Sequence, residues 1–253
     1  MLIAFQSIER LVEITRQSCH SLEVNTAHIW GIELDGSSRC LERCGQWLDE
    51  GEQQRAARFV REEDRSRYKL THGGLRAVLS RYLGTDPGTI LLHRSAEGKP
   101  FLKQKLDGRP AITFNMSHAY GRALIAVSRG QEIGIDLERI RSDVEVGKLS
   151  ERYFARSEHS TIMQAPPDQR PGKFFRYWVS KEAVLKAQGV GLQALSQCVV
   201  LLGADGVGAE IQVPDGSRLQ NDWTVRLLSC GEGWEGAVAA QGKDWVVQCG
   251  AAL

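Results

Sequence analysis

One order of elements occurs twice in this 253-residue chain: a β-rich segment, then helical periodicity, then further short strands. From about Ala27 to Leu34 (AHIWGIEL), β-branched and aromatic residues are dense and an Asp35-Gly36 turn follows, which predicts a strand. Between Asp64 and Leu83, the apolar Tyr68, Leu75, Val78, Leu79 and Tyr82 recur at helical spacing around Gly73-Gly74. Those glycines destabilise a helix by about 2 kcal/mol relative to two alanines, so close packing is expected there. Three short strands follow: ITFN from Ile112, ALIAVS after the turn MSHAYG, and IGIDLE after RGQE, together reading as a meander. A second helical stretch, from about Val146 to Gln188, is broken at Pro166-Pro167. It precedes the strand candidates CVVLLG, AEIQV, WTVRLLS, GAVAAQ and DWVVQC.

Two segments of equal length, ITFNMSHAYGRALIAVS from Ile112 and VRLLSCGEGWEGAVAAQ from Val225, share a strand-turn-strand pattern with a glycine in the turn. The match is of pattern rather than residues, and it suggests an α+β chain of two related halves with the ligand site in the cleft between them. Ile8, Leu11 and Val12 have helical spacing ahead of the first strand, and this segment reads as a dispensable N-terminal extension. The expected division is thus 1–25 as extension, 26–131 as first half and 132–253 as second half.

Composition, at 42% hydrophobic and 25% charged residues, is that of a globular domain. With 32 Lys plus Arg against 31 Asp plus Glu, no global field favours nucleic acid or an anionic membrane, so an anionic ligand needs a local cluster. The first residues lack a basic stretch and a small-residue cleavage site, and no apolar run is long enough to span a bilayer. Six scattered cysteines (Cys19, Cys40, Cys44, Cys198, Cys230 and Cys249) form no C-x-x-C pair. A reducing cytoplasm is the expected location.

Five features could carry chemistry. In IGIDLE, period-two alternation puts Ile133, Ile135 and Leu137 on one face and Gly134, Asp136 and Glu138 on the other. Paired carboxylates on a strand repel unless water or a cation intervenes, and hard oxygen ligands beside a small residue suit Mg²⁺; a solvated strand face is the plain alternative. In FFRYWVSKEAVLKAQG, Phe174, Tyr177, Trp178, Val184 and Leu185 form an apolar helical stripe, with Glu182 and Lys186 on its flank as an i, i+4 pair. Lys181 falls inside the apolar arc, where it must snorkel to water or meet a buried anion. Ser117 and His118 fall in the MSHAYG turn, and Lys99 and Pro100 in an EGKP turn. Arg55, Arg58, Arg61, Arg65 and Arg67 make a basic face interleaved with Glu62, Glu63 and Asp64.

Taken in order, RFVREEDRSRY, GKPFL, FNMSH, GIDLE and W-V-S-KEAVLKAQGVGL resemble the successive motifs of the surfactin-type 4′-phosphopantetheinyl transferases, from about Ala27 to the C-terminus. The resemblance implies a monomer of two similar α/β halves related by a pseudo-two-fold, each a small antiparallel sheet packed with helices. It implies transfer of phosphopantetheine from coenzyme A to a serine of an apo acyl or peptidyl carrier protein, using Mg²⁺ or Mn²⁺. By the same resemblance, Asp136, Glu138 and Glu182 form the metal site, Lys186 binds the pyrophosphate, and Ser117 and His118 contact phosphate. Lys99 and Pro100 lie near the nucleotide, Lys181 belongs with the cofactor-binding residues, and Arg55 neutralises the 3′-phosphate. Glu52 stands where some relatives have a second basic residue, with Arg58 or Arg67 able to compensate. Glu182 is the expected general base. A metal-dependent phosphoesterase would share the carboxylates but leave Lys99 and the Arg55 face unexplained. An inactive carrier or coenzyme A binding module would have no use for all three acids.

Overall fold

The computed structural model describes residues 1–13, 20–103, 110–214, 217, 219 and 222–250; Cys19 lies outside them. The chain opens with strand β1 (Phe5–Ser7) and helix α1 (Ile8–Glu13), then β2 (Thr26–Glu33), α2 (Ser38–Trp47), α3 (Glu50–Ala57) and the long α4 (Glu62–Leu83). A short hairpin, β3 (Leu92–Arg94) and β4 (Pro100–Leu102), leads to β5 (Ile112–Ala119), β6 (Arg122–Arg129) and β7 (Ile133–Arg139). Helices α5 (Val146–Tyr153), α6 (Arg156–Met163) and α7 (Arg170–Gln188) follow. The last strands are β8 (Val199–Leu202), β9 (Gly208–Gln212), β10 (Trp223–Leu228), β11 (Trp234–Gln241) and β12 (Val246–Cys249).

Two five-stranded sheets result. The first runs β1-β2-β6-β5 with β12 also on β2; the second runs β7-β11-β10-β9-β8. Their facing sides share a core in which Leu124 and Ala126 of β6 meet Ile133, Ile135 and Leu137 of β7 and Val238 of β11. On the outer sides, α4 packs over the first sheet around Leu75, Leu79 and Ile125, and α7 over the second around Phe174, Val184 and Ala237. The architecture is α+β in two halves.

The hairpins β5–β6 and β10–β11 occupy equivalent places. The thirteenth residue of each matched 17-residue segment, Leu124 or Ala237, is paired to a neighbouring strand, opposite Gly31 of β2 or Asp136 of β7. Other expectations change. The meander stops at β6, because the Gly130 turn (φ 80°) sends β7 to the edge of the other sheet. The first residues are no appendage: β1 pairs in parallel with Gly31–Glu33, and Ile8, Leu11 and Val12 are core residues. DWVVQC also leaves the second half, since β12 pairs in parallel with Thr26–Ile29 of β2.

Glycines explain the close approaches. A Cβ on Gly134 would lie 1.9 Å from the Ala183 carbonyl oxygen, so α7 rests directly on the backbone of β7. This reassigns Gly134, which makes room for a helix rather than for an ion. In α4, a Cβ on Gly73 would meet the Cys44 Cβ at 2.4 Å, which is the contact its place in the helix anticipated.

Candidate active site

The closeness of α7 to β7 brings Lys186 over Asp136. The Lys186 ammonium donates to Asp136 Oδ1 at 2.6 Å and to Ser117 Oγ at 2.9 Å, and Ser117 donates to the same Oδ1 at 2.8 Å. Strands β5 and β7, edges of different sheets, are held side by side here by the Asn115 side-chain oxygen accepting from the Ile135 N–H at 3.1 Å. Lys186 therefore bonds across the halves and not to Glu182, its i, i+4 neighbour.

Three carboxylates interact at this crossing. Burial, then the charge of Asp136, pushes Glu182 up to about 7, with Glu138 adding to the rise and Lys186 opposing it. Glu138 is likewise pushed to about 7 by burial and by Asp136, against Arg141 and Lys186. Asp136 Oδ2 and Glu182 Oε1 are buried without a hydrogen-bond partner. Buried carboxylate oxygens with no donor are costly, and a cation answers the demand. The donor set therefore fits a hard divalent ion. Among the described residues, however, no three His, Cys, Asp or Glu converge tightly enough to form a ready cage. In this state Lys186 supplies the positive charge to Asp136.

Ser117 and His118 lie within β5, since the strand extends to Ala119 and only Tyr120-Gly121 make the turn. Alternation consequently parts them: Ser117 faces Asp136, while His118 is exposed on the α4 side. Crowding of the ring, then the positive fields of His72, Lys186 and Arg67, holds the His118 imidazole below its usual pKa. Beside it, Tyr68 stacks on His72 at 4.0 Å, and burial raises the Tyr68 phenol pKa against the cations of Arg94 and Arg55. Arg55 and Arg94 thus gather around Tyr68, and Arg67 beside His118, as a cationic group on the α4 side of the crossing; Arg94 had no sequence signal beyond its charge. Arg55 is exposed, whereas half-buried Arg67 pairs with Glu63.

Lys99 stitches the halves together, its ammonium 2.7 Å from both Glu132 and the Ala187 carbonyl oxygen, with Pro100 starting β4 beside it. Two expectations need correction. Glu52 is not on the ligand surface: it is 2% exposed, closes a capping box with Asp49, and pairs with Arg76 at 2.7 Å and His72 at 2.8 Å. Burial raises its pKa, but His72 and Arg76 outweigh this and take it to about 2. The Asp49-x-x-Glu52 spacing was the available signal. Lys181, expected among the cofactor-binding residues, has met a buried anion instead. It is 0% exposed, 2.8 Å from Glu158, and donates to the carbonyls of Leu195 at 3.0 Å and Cys198 at 2.5 Å. All its donors are used inside the protein.

The sequence matches known proteins in both halves. A family model described as the 4′-phosphopantetheinyl transferase superfamily matches residues 132–240, and one described as 4′-phosphopantetheinyl transferase, N-terminal, matches residues 35–129. The chain is 34% identical to the 4′-phosphopantetheinyl transferase HetI of Nostoc sp. over 218 residues, covering 86% of this chain and 89% of that one. It is 29% identical to the 4′-phosphopantetheinyl transferase Sfp of Bacillus subtilis, covering 86% and 93% of the two chains. It is 31% identical to the L-aminoadipate-semialdehyde dehydrogenase-phosphopantetheinyl transferase of Xenopus laevis, covering 62% and 59%. With two-half architecture and near full-length similarity together, the chain belongs to the 4′-phosphopantetheinyl transferase superfamily and is an enzyme of that class.

Proposed function

We propose that this enzyme moves the 4′-phosphopantetheine arm of coenzyme A onto a serine of an apo acyl or peptidyl carrier protein, releasing adenosine 3′,5′-bisphosphate. The observation that carries this reading is the crossing of β5, β7 and α7, where Lys186, Ser117 and Asp136 bond together beside the unpartnered oxygens of Asp136 and Glu182. Asp136 and Glu182, with Glu138, are the residues that would hold Mg²⁺ or Mn²⁺, and such an ion supplies charge neutralisation at a diphosphate. Lys186 and Ser117 bind the diphosphate, and His118 contacts it from the rim. Arg55, with Arg67 and Arg94 nearby, takes the 3′-phosphate.

In the transfer, the carrier serine oxygen attacks the β-phosphorus and the bond to the bridging oxygen of the nucleotide breaks. Glu182 accepts the serine proton; a raised pKa suits a group that must take a proton near neutral pH. Positioning by Lys186 and the cationic rim supplies much of the rest. The enzyme acts as a monomer in the cytoplasm; support for the first is that one chain carries residues from both halves at the β5, β7 and α7 crossing, and for the second that the cysteines of the described residues are free thiols.

The test is to incubate the protein with coenzyme A, Mg²⁺ and several apo-carriers and to weigh the carriers. Addition of phosphopantetheine to a carrier is expected. Cleavage of coenzyme A with every carrier left unmodified would make the protein a phosphoesterase, and no reaction at all would leave a binding module.

A further inference from the structure

The two halves share a buried device. In the first, Glu52 is the third residue of α3 and pairs with Arg76, 24 residues on, in the middle of α4. Arg76 also donates to the Ile90 carbonyl, 14 residues ahead, beyond Gly84, which ends α4 at φ 64°. In the second half, Glu158 is the third residue of α6, reaches back to the Ala155 N–H at 2.7 Å, and pairs with Lys181 at 2.8 Å, 23 residues on in α7. Lys181 donates to the Leu195 carbonyl, again 14 residues ahead and beyond a left-handed glycine, Gly189 at φ 71°. Each glycine stands eight residues after its cation, and a short 3-10 helix starts three residues after each glycine. Apart from the glutamates and glycines, no residue identity marks this correspondence.

We propose that the Lys181–Glu158 pair is a positioning device that fixes the rotation of α7 so that Glu182 and Lys186 face Asp136. The proposal rests on the reading of the active site given above. At about 100° per residue, Glu182 lies roughly 100° and Lys186 roughly 140° around the helix from Lys181. A lock at Lys181 therefore sets the direction of both. The lock has four points: Glu158, the Leu195 and Cys198 carbonyls, and the Phe154 ring 5.2 Å from the ammonium. Glu158 is fixed in turn by the Val200 N–H of β8 at 2.7 Å. Stability alone does not account for this choice, because apolar residues of similar volume replace a buried ion pair without loss in many proteins. Directional bonds hold a rotation that an apolar patch leaves free to slip. Lys181 and Glu158 touch no substrate and act through α7.

The test compares wild type, Lys181→Arg, Lys181→Met and the double variant Glu158→Gln/Lys181→Met. Each is assayed for urea unfolding, for amide exchange of the α7 peptide, and for kcat and KM with coenzyme A and an apo-carrier. Lys181→Met leaves an unpaired buried carboxylate and is expected to be the least stable; the double variant removes both charges and is the deciding one. Expected for the double variant is near wild-type unfolding, faster exchange in α7 and a kcat lowered roughly 10- to 100-fold, as an ångström-scale misplacement produces. Lys181→Arg should retain most of kcat. A double variant with wild-type kcat per folded molecule, or with unchanged exchange in α7, overturns the proposal. Asp136→Ala run in parallel separates the two readings: if it too transfers at the wild-type rate, the assignment of the active site has failed, and the exchange of α7 still judges the device.

Discussion

The two halves build the same helix-on-sheet unit, yet only one carries acids at the crossing. Opposite the thirteenth hairpin residue stands Asp136 in the second half and Gly31 in the first. Around Gly31 the space is closed, with Ile3 and Ala4 of the N-terminal segment within 2.7–3.1 Å of where a Cβ would be. Counting onward from the buried cations, Glu182 and Lys186 correspond to Ala77 and Arg81. Arg81 is consumed structurally, stacked 4.9 Å from the Trp30 ring and donating to the Leu11 carbonyl. On the proposed reading, one fold thus serves two ends: the first half lends a cationic rim and the second does the chemistry. What decides the difference is whether the crossing stays open to the cleft.

That division has consequences for kinetics: changes in the second half should strike kcat and changes in the first should strike binding. Asp136→Ala is expected to have the largest effect. It removes the group joining Ser117 and Lys186 and a ligand of the proposed ion, whose loss is worth several kcal/mol, on the order of 10³-fold in kcat/KM or more. Near wild-type transfer at low millimolar Mg²⁺ would erase the contrast between the halves.

Glu182→Gln keeps shape and one oxygen but cannot accept a proton, so kcat should fall by roughly 10²- to 10⁴-fold while coenzyme A affinity changes far less. Burial and the charge of Asp136 raise Glu182 to about 7 where no ion is bound, so wild-type kcat/KM measured at low Mg²⁺ should rise as pH increases through that region. The variant should flatten that limb, leaving only the part that belongs to Glu138. Unchanged kcat with weakened Mg²⁺ binding would make Glu182 a ligand only.

Packing offers a paired test. Gly134→Ala drives a Cβ into backbone atoms of α7 and should destabilise by at least about 3 kcal/mol in urea unfolding. Gly74→Ala in α4 meets only the side-chain ends of Ile8, Ile32 and Leu11, at 3.0, 3.3 and 3.9 Å, and should stay within about 1 kcal/mol of wild type. Equal losses would mean that both helices rest on their sheets in the same way.

In the first half, Glu52 is held at about 2, below its ordinary 4.5, by His72 and Arg76 in spite of burial. A depressed carboxyl stabilises above its unfolded value and ceases to as pH falls toward the folded one. About 3 kcal/mol of stability should therefore disappear between roughly pH 4.5 and 2. Unfolding curves of wild type and Glu52→Gln across that window check this; parallel pH dependence would rule Glu52 out as its source.

At the rim the effect should fall on binding alone. Arg55→Ala should raise KM for coenzyme A roughly 10- to 100-fold, the worth of one charge-assisted contact, with kcat unchanged. Dephospho-coenzyme A, lacking the 3′-phosphate, should show no such change. Equal effects on both substrates would place Arg55 away from that phosphate.

Local pattern determined a good deal. Alternation in IGIDLE placed Asp136 and Glu138 on one face, and helical spacing placed Glu182 and Lys186 on one flank, because both depend only on backbone periodicity. Helical spacing also put Lys181 in the apolar arc, although which anion would meet it lay beyond the sequence. Tertiary structure decided the rest. That β7 leaves β6 for the other sheet, that Lys186 bonds Asp136 and not Glu182, and that β1 and β12 share the edge of β2 are pairings between distant segments, and no local periodicity encodes them. Glu52 and Arg55 show the limit most simply. They sit one turn apart on α3, similar in polarity, yet one is sealed against Arg76 and the other faces solvent, because burial depends on where α4 lies.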